Sequence, residues 1–63
     1  MVTTQEMKSC VGKKVKIYLI NGKNLNVICD CYIQAEDEED EPLLEFGNEI
    51  VVQSEIEKIE ILN

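Results

Sequence analysis

Apolar and polar residues alternate with a period of two over most of the chain, most clearly between Lys13 and Ile20. Val15, Ile17 and Leu19 fall on one side; Lys14, Lys16 and Tyr18 fall on the other, the signature of a half-buried strand over 13–20. Asn21-Gly22 follows and predicts a tight hairpin, a type I′ turn needing positive φ at both residues. The returning stretch, 23–34, places Leu25, Val27, Cys29, Cys31 and Ile33 on one face. A strand of that length predicts a sharp bend that lets it join two sheets. Residues 43–46 form a short strand with Leu44 and Phe46 inward, and Gly47-Asn48 reads as a second two-residue turn, Gly-first as II′ or I′ prefers. A strand over 49–53 returns with Ile50 and Val52 inward, Ser54-Glu55 makes a kink, and 58–62 closes the chain with Ile59 and Ile61 inward. Ile56 and Ile59, three apart, would also share a helix face, but the β-branched content and the terminal alternation favour a strand.

The amino-terminal segment has a different period. Thr3-Thr4-Gln5-Glu6 reads as a capping box, with the Thr3 hydroxyl accepting from the Glu6 amide and the Glu6 carboxylate reaching back. Val2 and Met7 stand at the two positions of a hydrophobic staple. Met7 and Val11, four apart, share one face, and Gly12 supplies a left-handed stop. The result is a helix over 3–11, too short to stand alone and built to dock. Between the bent strand and the second hairpin lie six consecutive acids, residues 36–41, closed by Pro42. Such a run repels itself and buries nothing, so 35–42 reads as a solvated loop. An acidic lure for a basic partner is the alternative. Calcium binding of the EF-hand type is excluded by the missing central glycine and ligand spacing.

Composition narrows the function classes. The 63 residues make a single domain, 1–63. A chain of this size buries only ~60 % of the surface exposed by its unfolded form, so disulfides, a metal or self-association usually help. Three cysteines, an odd number, and an amino terminus without an apolar signal core argue against disulfides. No apolar run approaches the ~20 residues of a membrane span. A reducing cytoplasm with free cysteines is expected. Zinc needs about four ligands, yet histidine is absent, and Cys29-Asp30-Cys31 on one strand would point its two thiols the same way. The cysteines read as small buried residues, no cofactor is expected, and self-association remains as the helper. The net charge of −7 is unevenly placed: five lysines against two acids up to Cys31, then eleven acids against one lysine from Tyr32 onward. An acidic surface repels phosphate backbones and disfavours broad nucleic-acid binding.

Capped helix, strand, Asn-Gly turn, long strand, acidic loop, strand, tight turn, strand, kink and strand follow one another in an order that resembles the Sm/LSm family of small, SH3-like β-barrels. Two stretches carry the resemblance. Gly12-Lys13-Lys14-Val15-Lys16-Ile17-Tyr18-Leu19-Ile20-Asn21-Gly22-Lys23 is similar to the opening strand and turn of the first Sm motif. Ile56-Glu57-Lys58-Ile59 is similar to the I-x-x-I that ends the second. The resemblance implies a five-stranded, strongly bent antiparallel barrel behind a short helix. It does not carry the family's RNA pocket with it. Val27 stands where a strand glycine is expected, Tyr32-Ile33 lacks the acid after the aromatic, Gln34-Ala35-Glu36 lacks the asparagine, and Val52-Gln53 replaces Arg-Gly.

Two function classes compete. A self-assembling or protein-binding barrel is suggested by Ile20, Ile28, Val51 and Leu62, apolar residues on the face opposite the core and candidates for an interface. By resemblance, rings would close by pairing the fourth expected strand of one copy with the fifth of the next. The alternative is RNA binding on a different, basic surface, where Lys14 and Lys16 project beside Tyr18 as a stacking residue. Catalysis is not expected. There is no histidine to activate a nucleophile, no glycine-rich phosphate loop, and no buried setting for the carboxylates.

Overall fold

The computed structural model describes residues 2–62. Helix α1, Thr4–Ser9, starts as its caps dictate. The Thr3 hydroxyl accepts from the Glu6 amide at 3.1 Å and the Glu6 carboxylate accepts from the Thr3 amide at 3.3 Å, while Val2 and Met7 are both buried. Its end differs from expectation. The Cys10 and Val11 amides donate to Met7 and Lys8, three residues back, at 3.3 and 3.4 Å, so the last turn tightens towards 3₁₀ geometry. Cys10 therefore stacks on Met7 in the core, and Val11 is left 39 % exposed. Gly12, at φ +79°, then turns the chain into the first strand and donates to Cys29 O at 2.8 Å. Replacing Thr3 by alanine removes one side of the cap and is expected to cost about 1 kcal/mol, read as a lowered urea midpoint with an unchanged slope.

Among the described residues six strands follow, where five are expected: β1 Lys14–Leu19, β2 Asn24–Ile28, β3 Cys31–Ile33, β4 Leu43–Phe46, β5 Glu49–Val52 and β6 Ile56–Ile61. They form two antiparallel three-stranded sheets, ordered β2-β1-β6 and β3-β4-β5. The sixth strand comes from the expected bend. At Cys29-Asp30 the long strand leaves one sheet and enters the other: the Cys29 amide donates to Lys13 O at 3.3 Å, and the next amide, Asp30, donates to Glu45 O at 2.9 Å. The Asp30 carboxylate fixes this corner by accepting from the Gly47 amide at 2.7 Å. The break also shifts the alternation. Cys29 is buried and Tyr32 packs against the core, while Cys31 and Ile33 turn outward; the thiols of Cys29 and Cys31 do not share a side.

Both hairpin turns settle geometry that alternation alone leaves open. In the first, only Gly22 has a positive φ, +90°, and Leu19 closes the loop twice, its carbonyl accepting from the Gly22 amide (3.0 Å) and its amide donating to Lys23 O (2.8 Å). This is a three-residue loop with glycine in the left-handed position rather than a type I′ turn. The Asn21 side chain supports it by accepting from the Lys23 amide at 3.0 Å. In the second, Gly47 has φ +64° and Asn48 does not share it, the sign pattern of a II′ turn. That two-residue turn pairs Phe46 with Glu49 and hence Leu44 with Val51. Residues directly opposite share a face, so Val51 joins Leu44 and Phe46 in the core at 4 % exposure, and Ile50 stands outside at 59 %. The expected inward pair Ile50 and Val52 and the expected outward Val51 are thus reversed.

A 3₁₀ turn, Gln53–Glu55, makes the anticipated kink, anchored by the Gln53 side-chain amide donating to Val2 O at 2.8 Å. Strand β6 begins at Ile56, earlier than expected. The register against β1 shifts between Tyr18, opposite Lys58, and Leu19, opposite Ile56, leaving Glu57 as an extra residue. This bulge lets Ile56 and Ile59, three apart, both face the core. Ile61 lies on the same side, opposite Val15, but at the open end of the sheet. The core is formed by Met7, Cys10, Val15, Ile17, Cys29, Leu44, Phe46, Val51 and Ile56 together with Val2. No helix among the described residues is long and apolar enough to cross a membrane.

Candidate functional site

The two sheets turn chemically opposite faces outward. On the first, the register places Lys14 between Ile28 and Leu62, Lys16 between Asn26 and Glu60, and Tyr18 between Asn24 and Lys58. The three residues proposed to read RNA, Lys14, Lys16 and Tyr18, are therefore brought together on one surface, and Lys58 joins them from β6. Tyr18 is already engaged: the Lys16 and Lys58 ammoniums lie 5.2 and 5.6 Å from its ring centroid, within cation–π range. A base stacking there would have to displace them. Of the interface candidates, Ile28 and Leu62 flank Lys14 at one end of this face and Ile20 is exposed in the loop at the other end. They do not form one patch, and Val51 belongs to the core.

The second sheet presents a surface that alternation misses. Its outward rows are Ile33–Leu43–Val52 and Cys31–Glu45–Ile50, five apolar or sulfur side chains around a single carboxylate. Over the first row opens a hollow of about 340 Å³ whose floor is Ile33, Leu43 and Val52 and whose wall is the acidic loop, including Glu36, Glu39, Asp40 and Glu41. The loop is folded rather than merely solvated. The Asp37 carboxylate accepts from the Glu39 and Asp40 amides at 2.9 and 3.2 Å. Glu41 grips Ser54 through both carboxylate oxygens, from the amide at 2.8 Å and the hydroxyl at 2.9 Å. Ile33 and Val52, which replace pocket residues in the Sm resemblance, thus become an apolar floor, and the Gln53 amide is used on Val2.

Strands β5 and β6 are each the last strand of their sheet, so each has one side outside the ladders. The Glu55 carboxylate accepts from the Val52 amide on the β5 side at 3.4 Å.

The buried thiols form a separate cluster. Cys10 Sγ and Cys29 Sγ are 3.3 Å apart, and Cys10 Sγ also donates to Met7 O at 2.9 Å; all three cysteines are free. Burial, then the hydrogen bond and the charge of Cys10, and lastly Asp30, push the Cys29 thiol up from an ordinary 9.0 to about 12. A buried thiol held neutral in this way behaves as a small apolar core side chain. The folded state holds the Cys29 proton after the unfolded chain has lost it, so the stability this provides is complete below pH 9 and falls between 9 and about 12. Urea midpoints should drop from about pH 8 to about pH 10.5, and drop less in Cys29→Ala. Among the described residues no group of three or more His, Cys, Asp or Glu side chains could hold a metal ion.

Comparison of the chain with models of protein families, with curated proteins and with solved structures finds no match in any of the three.

Proposed function

We propose that this chain is a non-catalytic small barrel of the Sm-like kind that works by protein contact in the cytoplasm, most directly by pairing copies edge to edge. The observation that carries the reading is the topology, in which β5 and β6 each end their sheet and Ile50, Ile61 and Leu62 lie exposed along them. Unpaired strand edges are templates for pairing, and a 63-residue chain gains stability from association. The absence of histidine and the neutral thiol of Cys29 support a non-catalytic role. Sedimentation velocity across micromolar to millimolar protein tests the assembly. The mass should rise with concentration, and Ile50→Lys, a charge on the β5 edge, should hold it at the monomer; a wild-type monomer throughout would end the edge-pairing reading.

The gathering of Lys14, Lys16, Tyr18 and Lys58 on one sheet favours a second reading, binding of single-stranded RNA on that face. It requires that affinity fall steeply with salt and collapse in Lys14→Glu/Lys16→Glu. Indifference to either would eliminate it.

A further inference from the structure

The geometry points to the outer face of the β3-β4-β5 sheet as a docking surface for a cationic, amphipathic segment of another protein. The inference rests on the reading of the chain as a protein-contact module, but it uses a sheet face rather than a strand edge, so the two fail separately. Ile33, Leu43 and Val52 lie directly opposite one another across three strands, a row about 10 Å wide at the ~4.8 Å strand spacing. A second row adds the exposed Ile50 and Cys31 on either side of Glu45. Such a contiguous outward apolar face on so small and charged a domain marks an interaction site. What covers it is indicated by its wall.

Four acidic residues, Glu36, Glu39, Asp40 and Glu41, line the hollow together with the apolar floor. Two anchors keep the wall in place, the Asp37 turn and the Glu41–Ser54 clasp. Six like charges in sequence cost repulsion in the free protein, and a basic partner relieves it while its apolar side chains fill the floor. Charge complementarity of this kind steers encounter and fixes register, and the apolar floor supplies the holding contact. An acidic or neutral segment would leave the carboxylates partly desolvated and unpaired. A second copy of the chain is the weaker occupant, since the basic face around Lys16 and Lys58 carries Glu60 among the lysines and the chain's own charge is −7.

The probe is an amphipathic helical peptide of leucine and lysine, with glutamate replacing lysine in the control, titrated into the ¹⁵N-labelled full chain. The cationic peptide should shift the amides of Ile33, Leu43 and Val52, and the acidic one should not. Affinity should fall at least tenfold both in Ile33→Ser and in Glu36→Gln/Glu39→Gln/Asp40→Asn. Ile33 is solvent-exposed and the three acids lie in a loop, so both variants keep the core, which the unchanged dispersion of the remaining amides verifies. Shifts confined to the acidic loop with Ile33→Ser binding normally would mean charge attraction alone and overturn the proposal. So would absence of binding, or the same amides shifting on simple concentration of the protein, which would assign the face to a second copy.

Discussion

Ile17→Ala is expected to leave the protein largely unfolded under conditions where the wild type is folded. Ile17 is fully buried in the central strand of the first sheet, with Leu25 opposite it on β2 and Ile59 on β6. Truncating a buried isoleucine to alanine costs about 2–5 kcal/mol, from lost transfer energy and from the cavity left behind. At roughly 0.05–0.15 kcal/mol per residue, a chain of this length has only about 3–9 kcal/mol in all. With β1 holding both neighbours in place, the site has little freedom to collapse and the upper part of the cost applies. Urea unfolding followed by circular dichroism should show the transition shifted close to zero denaturant. A midpoint within experimental error of wild type would mean that Ile17 does not anchor the core.

The second large effect separates two neighbours. Val51→Lys should abolish folding, whereas Ile50→Lys should leave the urea midpoint almost unchanged. Val51 lies opposite Leu44 inside the molecule, where a lysine ammonium would be buried without a partner, a loss above about 4 kcal/mol. Ile50 lies opposite Glu45 on the outer face, where a lysine finds water and an opposite charge; exposed sites of this kind move stability by about ±0.5 kcal/mol. Reversal of the two outcomes would invert the face assignment of β5 and, with it, the apolar surface around Ile33, Leu43 and Val52.

That pair also shows what was legible in the chain. The β-rich class, the capped helix, the two hairpins and the passage of one long strand into both sheets follow from local rules: a capping box, glycine at the turns, alternation, and too many residues for one straight strand. Among the strands, the inward and outward assignments failed at two points, in β5 and after Cys29-Asp30, each a place where one residue changes the phase. In β5, Ile50 and Val52 are expected inward, but a two-residue turn after Phe46 forces Val51 opposite Leu44. Counting across the turn would have found it. At Cys29-Asp30 the bend itself resets the alternation, so Cys31 and Ile33, apparently continuous with Cys29, come out on the surface. In β6, Ile59 and Ile61 lie on the expected side, and the bulge at Glu57 adds Ile56 to it. The lysine and tyrosine cluster was legible because β1 alternates without interruption. The acid-walled apolar hollow was not, because two of the three strands of its floor, β3 and β5, take their phase from such breaks.

Amide hydrogen exchange at two protein concentrations tests edge-to-edge contact most directly. On going from micromolar to millimolar protein, the amides of Glu49–Val52 and Ile56–Ile61 should gain protection while those of β2 stay as they were. If β5 and β6 exchange at the same rate at both concentrations, or if the added protection falls on β2 instead, these edges do not join one copy to the next.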